Sequence, residues 1–238
     1  MPRVPFKRFY EQAGIGPAGA DFAVLLDGRP VKTPAGAALA MASRALAEAV
    51  AAEWAAQADQ VDLRTMLLTA LVCTAIDRVR PNRDPVIGQV VAYGAHDLVC
   101  YRAAAPADLA ARQAAAWQPL LDWAADRHGA RLEVTSGAVS IPQPAEALSA
   151  LRGAVEALDH VALAALASAV GVAGSLIVGL ALAEGRLSPD QAHAAAFVDE
   201  LYQAERWGED REAAHRRATI RADLEAARRV FVLVGSGA

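Results

Sequence analysis

Aromatic side chains are scarce in this chain: only 5% of its 238 residues are Phe, Tyr or Trp, although 55% are hydrophobic. The apolar residues are therefore mainly Ala, Leu and Val. Ala is the best helix former and is depleted in strands, so close-packed helices are favoured over a sheet sandwich. A hydrophobic fraction this high also excludes a disordered chain. We predict a globular protein that is mostly helical.

Cysteine is nearly absent, and the chain has no spacing typical of a metal site. Cys73 and Cys100 lie in apolar stretches without a CxxC motif, which predicts buried free thiols in a reducing compartment. The histidines are spread along the chain, and no two stand at a metal-ligand spacing with a carboxylate between them. They are His96, His128, His160, His193 and His215. We therefore expect no metal and no cofactor.

Positive charge is not in excess, since the formal net charge is −4. This balance argues against non-specific binding to nucleic acid or to anionic membranes. Residues 161–183 carry no charge and are long enough to span a bilayer. Glycines interrupt that stretch, so we expect two packed helices with a break near Gly171 and no stable membrane insertion. The N-terminal residues lack the apolar segment of a secretory signal, which predicts a cytoplasmic protein.

The first forty residues contain a β-hairpin signature. Residues 22–26 are apolar, and Asp27-Gly28 follows them, a dipeptide that supplies the positive φ angles of a two-residue hairpin turn. We predict an α+β protein in which a small β-rich N-terminal domain, 1–42, precedes a larger helical domain, 43–238.

The rest of the chain carries clear signals for helix starts and ends. Ser43 can cap the first helix, and Gly129 is placed to end a long one. Pro119 lies inside that long helix, which predicts a kink or break near Gln118. Helical spacing predicts helices over about 44–57, 62–80, 107–128 and 145–158, with a further helix starting near 86.

Residues 175–210 combine an apolar helix with a second helix of distinct polarity. Gly185 separates the two helices. Ser188 and Gln191 have the spacing of a capping box, and Gly208 is a natural stop, so one helix is predicted between Ser188 and Gly208. Its polar face and its end, rather than its packed side, are the candidate functional surface.

Trp207 allows two interpretations. It can be a core anchor that closes the helix, or a contact residue, since Trp and Arg are the residues most enriched where interface binding energy concentrates. The neighbouring acidic groups do not suit catalysis, because five residues separate Glu200 from Glu205 and place them well apart around a helix.

Sequence features of an enzyme are otherwise weak. There is no Gly-rich phosphate loop between a strand and a helix, and no G-x-S-x-G motif. His96-Asp97 is the one acid/base candidate, and a small-ligand enzyme with a site there stays an alternative function. A structural interaction protein with another partner is the other alternative.

Short motifs along the chain, in a fixed order, resemble one protein family. The most specific is the C-terminal pair SLIVGLALAEGRLSPDQA and DELYQAERWGE, at residues 175–192 and 199–209. The earlier ones are KRFY at 7–10, LDGRPVKTP at 26–34, AEWAAQ at 52–57, TAID at 74–77, DLVCYR at 97–102 and WQPLLDW at 117–123. Together they resemble the assembly chaperone of the F-type ATP synthase catalytic head. Leu67 departs from the family pattern, where a proline is expected.

This resemblance implies a non-enzymatic chaperone. Such a protein binds the unassembled alpha subunit and prevents its aggregation until a beta subunit replaces it. We also expect a monomer, located in the cytoplasm for a bacterial protein and in the mitochondrial matrix for eukaryotic relatives. The predicted partner-binding residues are Glu200, Gln203, Glu205, Arg206, Trp207 and Glu209.

Overall fold

The computed structural model describes residues 4–137, 139–208 and 210–235. It confirms the α+β class, with a small β-rich N-terminal part and a mostly helical remainder. The strands are β1 (Phe6–Lys7), β2 (Ala13–Ala18), β3 (Asp21–Leu26), β4 (Arg29–Pro30), β5 (Ala40–Met41), β6 (Gln60–Val61), β7 (Tyr101–Arg102) and β8 (Thr135–Ser136). The α-helices are α1 (Arg44–Ala55), α2 (Leu67–Thr74), α3 (Arg83–Ala95), α4 (Ala107–His128), α5 (Ala145–Glu156), α6 (His160–Ala173), α7 (Leu176–Ala183), α8 (Pro189–Ala196), α9 (Val198–Trp207) and α10 (Arg211–Gly235).

The predicted hairpin forms the centre of a four-stranded antiparallel sheet. Strand β3 pairs with β2 on one edge and with β4 and β5 on the other. Asp27 and Gly28 adopt the positive φ angles, 48° and 77°, that the two-residue turn requires. Helix α1 packs on β2 and β3, and its N-terminus is capped as predicted, since the Ser43 side chain accepts a hydrogen bond from Leu46 N.

The prediction of one continuous α-helix over 62–80 is wrong, because this segment contains three different helical forms. A 3₁₀ turn comes first, α2 follows, and a π-helical turn, Ala75–Val79, continues it. The start of α2 has a tertiary cause. The Glu53 carboxylate of α1 accepts hydrogen bonds from Leu68 N and Thr69 N, each at 2.8 Å, and so caps the helix from a distant part of the chain.

Helix α4 runs without interruption through Pro119, so the break predicted near Gln118 does not occur. Trp117, Leu120 and Leu121 are buried around the proline. Their packing outweighs the lost backbone hydrogen bond. Gly129 ends α4 in the left-handed region, as predicted, with φ at 73°.

The apolar stretch 161–183 forms two helices, as expected, but the break lies three residues later than predicted. Gly171 is inside α6, whereas Gly174 has a φ of 66° and Ser175 caps α7. No helix in the described part of the chain is both long enough and apolar enough to cross a membrane.

The helix predicted between Ser188 and Gly208 is two helices. The capping box of Ser188 and Gln191 is confirmed, but Phe197 leaves the helical region between α8 and α9. The cause lies in α4, because Trp117 Nε1 donates to the Ala195 carbonyl at 2.7 Å. That carbonyl would accept from Asp199 N in a continuous helix.

The chain divides into two compact units. The first comprises the described residues of Met1–Arg83, Asp159–Ala165 and Arg229–Ala238, and the second those of Asp84–Leu158 and Leu166–Arg228. The sequence predicts a domain boundary at residue 42, between a β-rich domain and a helical domain. That boundary stays a prediction.

Candidate interaction surface

His96 and Asp97, the candidate acid/base pair, lie in different environments. Asp97 is fully buried, and its carboxylate accepts hydrogen bonds from Val99 N at 3.2 Å and Ile177 N at 3.1 Å. His96 is exposed, with Nδ1 3.3 Å from Ser140 Oγ. Asp97 therefore joins a 3₁₀ turn to the N-terminus of α7, which is a structural role.

Burial raises the pKa of Asp97 from 3.8 to about 6, although hydrogen bonds from Ser175 and from backbone amides favour the ionised carboxylate. The folded protein then holds this proton more tightly than the unfolded chain. Stability from this group is therefore present at low pH and is lost as pH rises through about 6.

Asp97→Asn is expected to remove that pH dependence. From about pH 4 to about pH 7, the wild-type protein should lose about 2 kcal/mol of stability relative to the variant. Urea unfolding of both proteins across this range measures the difference. A constant difference would show that Asp97 has the same pKa in the folded and unfolded states.

Helix α9 is joined to α4 by a polar network. Tyr202 is buried in the middle of α9, and its hydroxyl donates to both carboxylate oxygens of Asp108, at 2.9 and 3.0 Å. Arg206 also pairs with Asp108. The hydrogen bond from Tyr202 lowers the pKa of Asp108, and the positive charge of Arg206 acts in the same direction.

The structure brings most of the predicted site residues onto α9 but pairs several of them within the chain. Glu205 accepts from Arg112 of α4 at 2.6 Å, and Glu200 accepts from Arg216 of α10 at 2.8 Å. Gln203 is exposed. Glu209 lies outside the described residues.

Trp207 ends α9 and is 76% exposed. The interpretation of this residue as a core anchor is therefore wrong. Its role as a partner contact stays a prediction. By contrast, Trp54 and Trp117 are buried.

The residues that hold α9 were not identified from the sequence. They are Asp108, Arg112, Tyr202 and Arg216. Asp108 lies 94 residues before Tyr202, and no local pattern links positions so far apart. Tyr202 does lie inside the most specific motif of the chain, and that was the only signal for its importance.

The two cysteine thiols are not activated as nucleophiles. Cys73 and Cys100 are free and buried, as predicted, and burial raises the pKa of each to about 12, so neither is a reactive thiolate at neutral pH. Within residues 4–137, 139–208 and 210–235, no group of three His, Cys, Asp or Glu side chains could hold a metal ion.

A family model, a related sequence and a solved structure that match this chain all carry the name Atp12. A family model described as ATP12 chaperone protein matches residues 7–125. The protein atp12, mitochondrial, of Schizosaccharomyces pombe is 24% identical over 220 residues, which cover 87% of this chain and 76% of that protein. The crystal structure of Atp12 from Paracoccus denitrificans is 41% identical, with 95% and 97% of the two chains covered and a TM-score of 0.91. The Atu1473 protein of Agrobacterium tumefaciens is 40% identical, with 96% and 86% covered and a TM-score of 0.93.

Proposed function

The chain belongs to the ATP12 family of ATP synthase assembly chaperones, and from this membership we propose that it binds the unassembled alpha subunit of the F-type catalytic head. The bound alpha subunit is kept from aggregating until a beta subunit replaces the chaperone. Members of this family are assembly chaperones and not enzymes. The family match carries the choice of partner, and the exposure of Trp207 at the end of α9 supports this helix end as the contact surface.

An exposed indole leaves a large apolar ring in contact with water, and binding that buries the ring is favourable. Tryptophan is strongly enriched among the residues that dominate interface energies, because its large apolar ring carries one polar group. Trp207 directly follows Glu205 and Arg206, both of which are tied to α4. The ring is therefore presented from a helix whose position is already set, which lowers the entropy lost on binding.

Release imposes a second condition on the surface. Unassembled subunits of a ring expose interface area that would otherwise aggregate, and the chaperone has to cover that area only temporarily. A moderate interface with a polar rim meets this condition better than a large apolar one. The charged and polar residues of α9 around a single tryptophan support such an interface.

Co-expression with separate alpha and beta subunits tests the choice of partner. We expect the chaperone to raise the soluble yield of the alpha subunit and to leave that of the beta subunit unchanged. Solubilisation of the beta subunit alone, or of neither subunit, would contradict the proposal. A structural subunit would also remain in purified ATP synthase, where this chaperone should be absent.

Trp207→Ala is expected to weaken binding of the alpha subunit by about 2 kcal/mol, or about thirtyfold in Kd. The melting temperature should not change, because the side chain is 76% exposed. Phe9→Ala is a matched control, since Phe9 is a 69% exposed aromatic residue in the first compact unit. Titration calorimetry would compare the two variants, and an equal loss in both would remove Trp207 as the main contact.

The cellular location of the protein is also proposed from its membership of the ATP12 family. We propose that the chaperone acts in the bacterial cytoplasm, where the catalytic head of a bacterial ATP synthase is assembled. The higher identity to the two bacterial proteins, 41% and 40% against 24% for the mitochondrial one, supports this location.

A further inference from the structure

The acidic side chains of α9 are already paired with groups of the same chain. Asp199 accepts from Gln113 at 2.6 Å, in addition to the Glu200–Arg216 and Glu205–Arg112 ion pairs. These three are the only acidic residues between 198 and 207. The carboxylates of this helix are therefore already partly neutralised within the chain, and a basic partner would have to displace Gln113, Arg112 or Arg216 to pair with them.

The basic residue of α9 is paired as well, through a network built around Tyr202. Arg206 pairs with Asp108, and its guanidinium lies 4.5 Å from the centre of the Tyr202 ring. The guanidinium of Arg112 lies 5.3 Å from the same ring. Exposed ion pairs contribute little singly, but here two of them share a tyrosine that is only 2% exposed. The buried tyrosine therefore anchors α9 to α4, and the two ion pairs add to that anchor.

Trp207 lies outside this network. It is the last residue of α9, and the residue after it, Gly208, donates its amide to the Ala204 carbonyl at 3.0 Å. The backbone at Trp207 is thus held in the helix, whereas its indole side chain is exposed. The charged groups that precede it on α9 are paired within the chain.

We propose that Glu200, Glu205 and Arg206 are positioning residues, and that the partner contacts Trp207 through an apolar pocket that accepts an indole. The inference rests on the proposed function and divides the predicted surface into two roles. The charged residues hold α9 through α4 and α10, whereas Trp207 touches the partner. A basic patch on the partner is not required.

Exchange of the charges of one ion pair separates the two roles. Glu205→Arg and Arg112→Glu, each alone, should weaken alpha-subunit binding about tenfold, because like charges then face each other between α4 and α9. The double variant restores an attractive pair and should bind within about threefold of wild type. If Glu205 instead touches the partner, the double variant will bind as weakly as Glu205→Arg alone.

Hydrogen exchange in the free chaperone tests the positioning role without the alpha subunit, so this test does not depend on the proposed function. Hydrogen exchange of the α9 amides in the free chaperone should be about tenfold faster in each single variant and normal in the double variant. Glu48→Arg, in the Arg44–Glu48 pair of α1, is the matched control and should leave α9 unchanged. Unchanged exchange in both single variants would overturn the positioning role.

If wild-type protein fails to bind the alpha subunit, the proposed function is wrong, while the exchange data still decide whether the ion pairs hold α9. The salt dependence then tests the nature of the contact. An indole in an apolar pocket predicts that the affinity changes less than about threefold from about 50 mM to about 500 mM NaCl. Trp207→Phe should retain more affinity than Trp207→Ala. A steep fall with salt would contradict the apolar pocket.

Discussion

Asp97→Ala is expected to lower the free energy of unfolding by about 4 kcal/mol, because two buried backbone amides lose their acceptor. These donors are Val99 N and Ile177 N, and the Ser175 hydroxyl loses the acceptor of its own hydrogen bond as well. The site is fully buried, so bulk water does not reach these donors in the folded protein. The positive ends of two helical turns would also lose a negative charge.

Urea denaturation of the purified variant measures this loss directly. Asp126→Ala is the matched control, since Asp126 is an exposed aspartate of α4 and its removal should cost less than about 0.5 kcal/mol. Asp97→Asn keeps one acceptor oxygen and should be less harmful than Asp97→Ala. A loss below about 1 kcal/mol in Asp97→Ala would show that the two helical turns do not depend on this carboxylate.

Gly179→Val is expected to destabilise the protein by about 3 kcal/mol, through overpacking between α6 and α7. A Cβ atom at this position would lie 2.5 Å from Val170 Cγ2 and 3.1 Å from Leu166 Cδ1. Val170 is β-branched and restricted at χ1, so it cannot easily turn aside. The two helices would have to move apart, which would expose part of the core.

Gly171→Ala provides the contrast on the neighbouring helix. Gly171 lies inside α6, and no heavy atom comes within 4 Å of a Cβ placed there. This substitution should stabilise the protein by about 0.5–1 kcal/mol, because glycine is a poor helix former. Thermal melts of the two variants should therefore shift in opposite directions. Shifts in the same direction would mean that space between the helices is not the deciding factor.

The features that could be predicted depend on residues close together in the chain. The Asp27-Gly28 turn, the Ser43 cap and the capping box of Ser188 and Gln191 all involve contacts across at most four residues. Their geometry follows from the backbone preferences and side-chain lengths of those residues alone. The α+β class, the ends of α4 and the free buried cysteines were predictable for similar reasons.

The features that were missed or misplaced depend on distant contacts. The division between α8 and α9 depends on Trp117, which is 78 residues from the carbonyl it binds. The burial of Asp97 depends on Ile177, 80 residues away. Such pairs leave no periodic pattern, because either partner alone is compatible with several structures.

The candidate surface combines both kinds of information. Sequence motifs by themselves determined the family resemblance and selected the end of α9, including Trp207. Only the tertiary structure showed that Trp207 is exposed and that Glu200, Glu205 and Arg206 are paired with α10 and α4. The physical reason is that a charged residue on a helix face looks the same in sequence whether solvent, a partner or its own chain neutralises it. The packing of α4 against α9 brings Arg112 and Asp108 close enough to neutralise Glu205 and Arg206 within the chain.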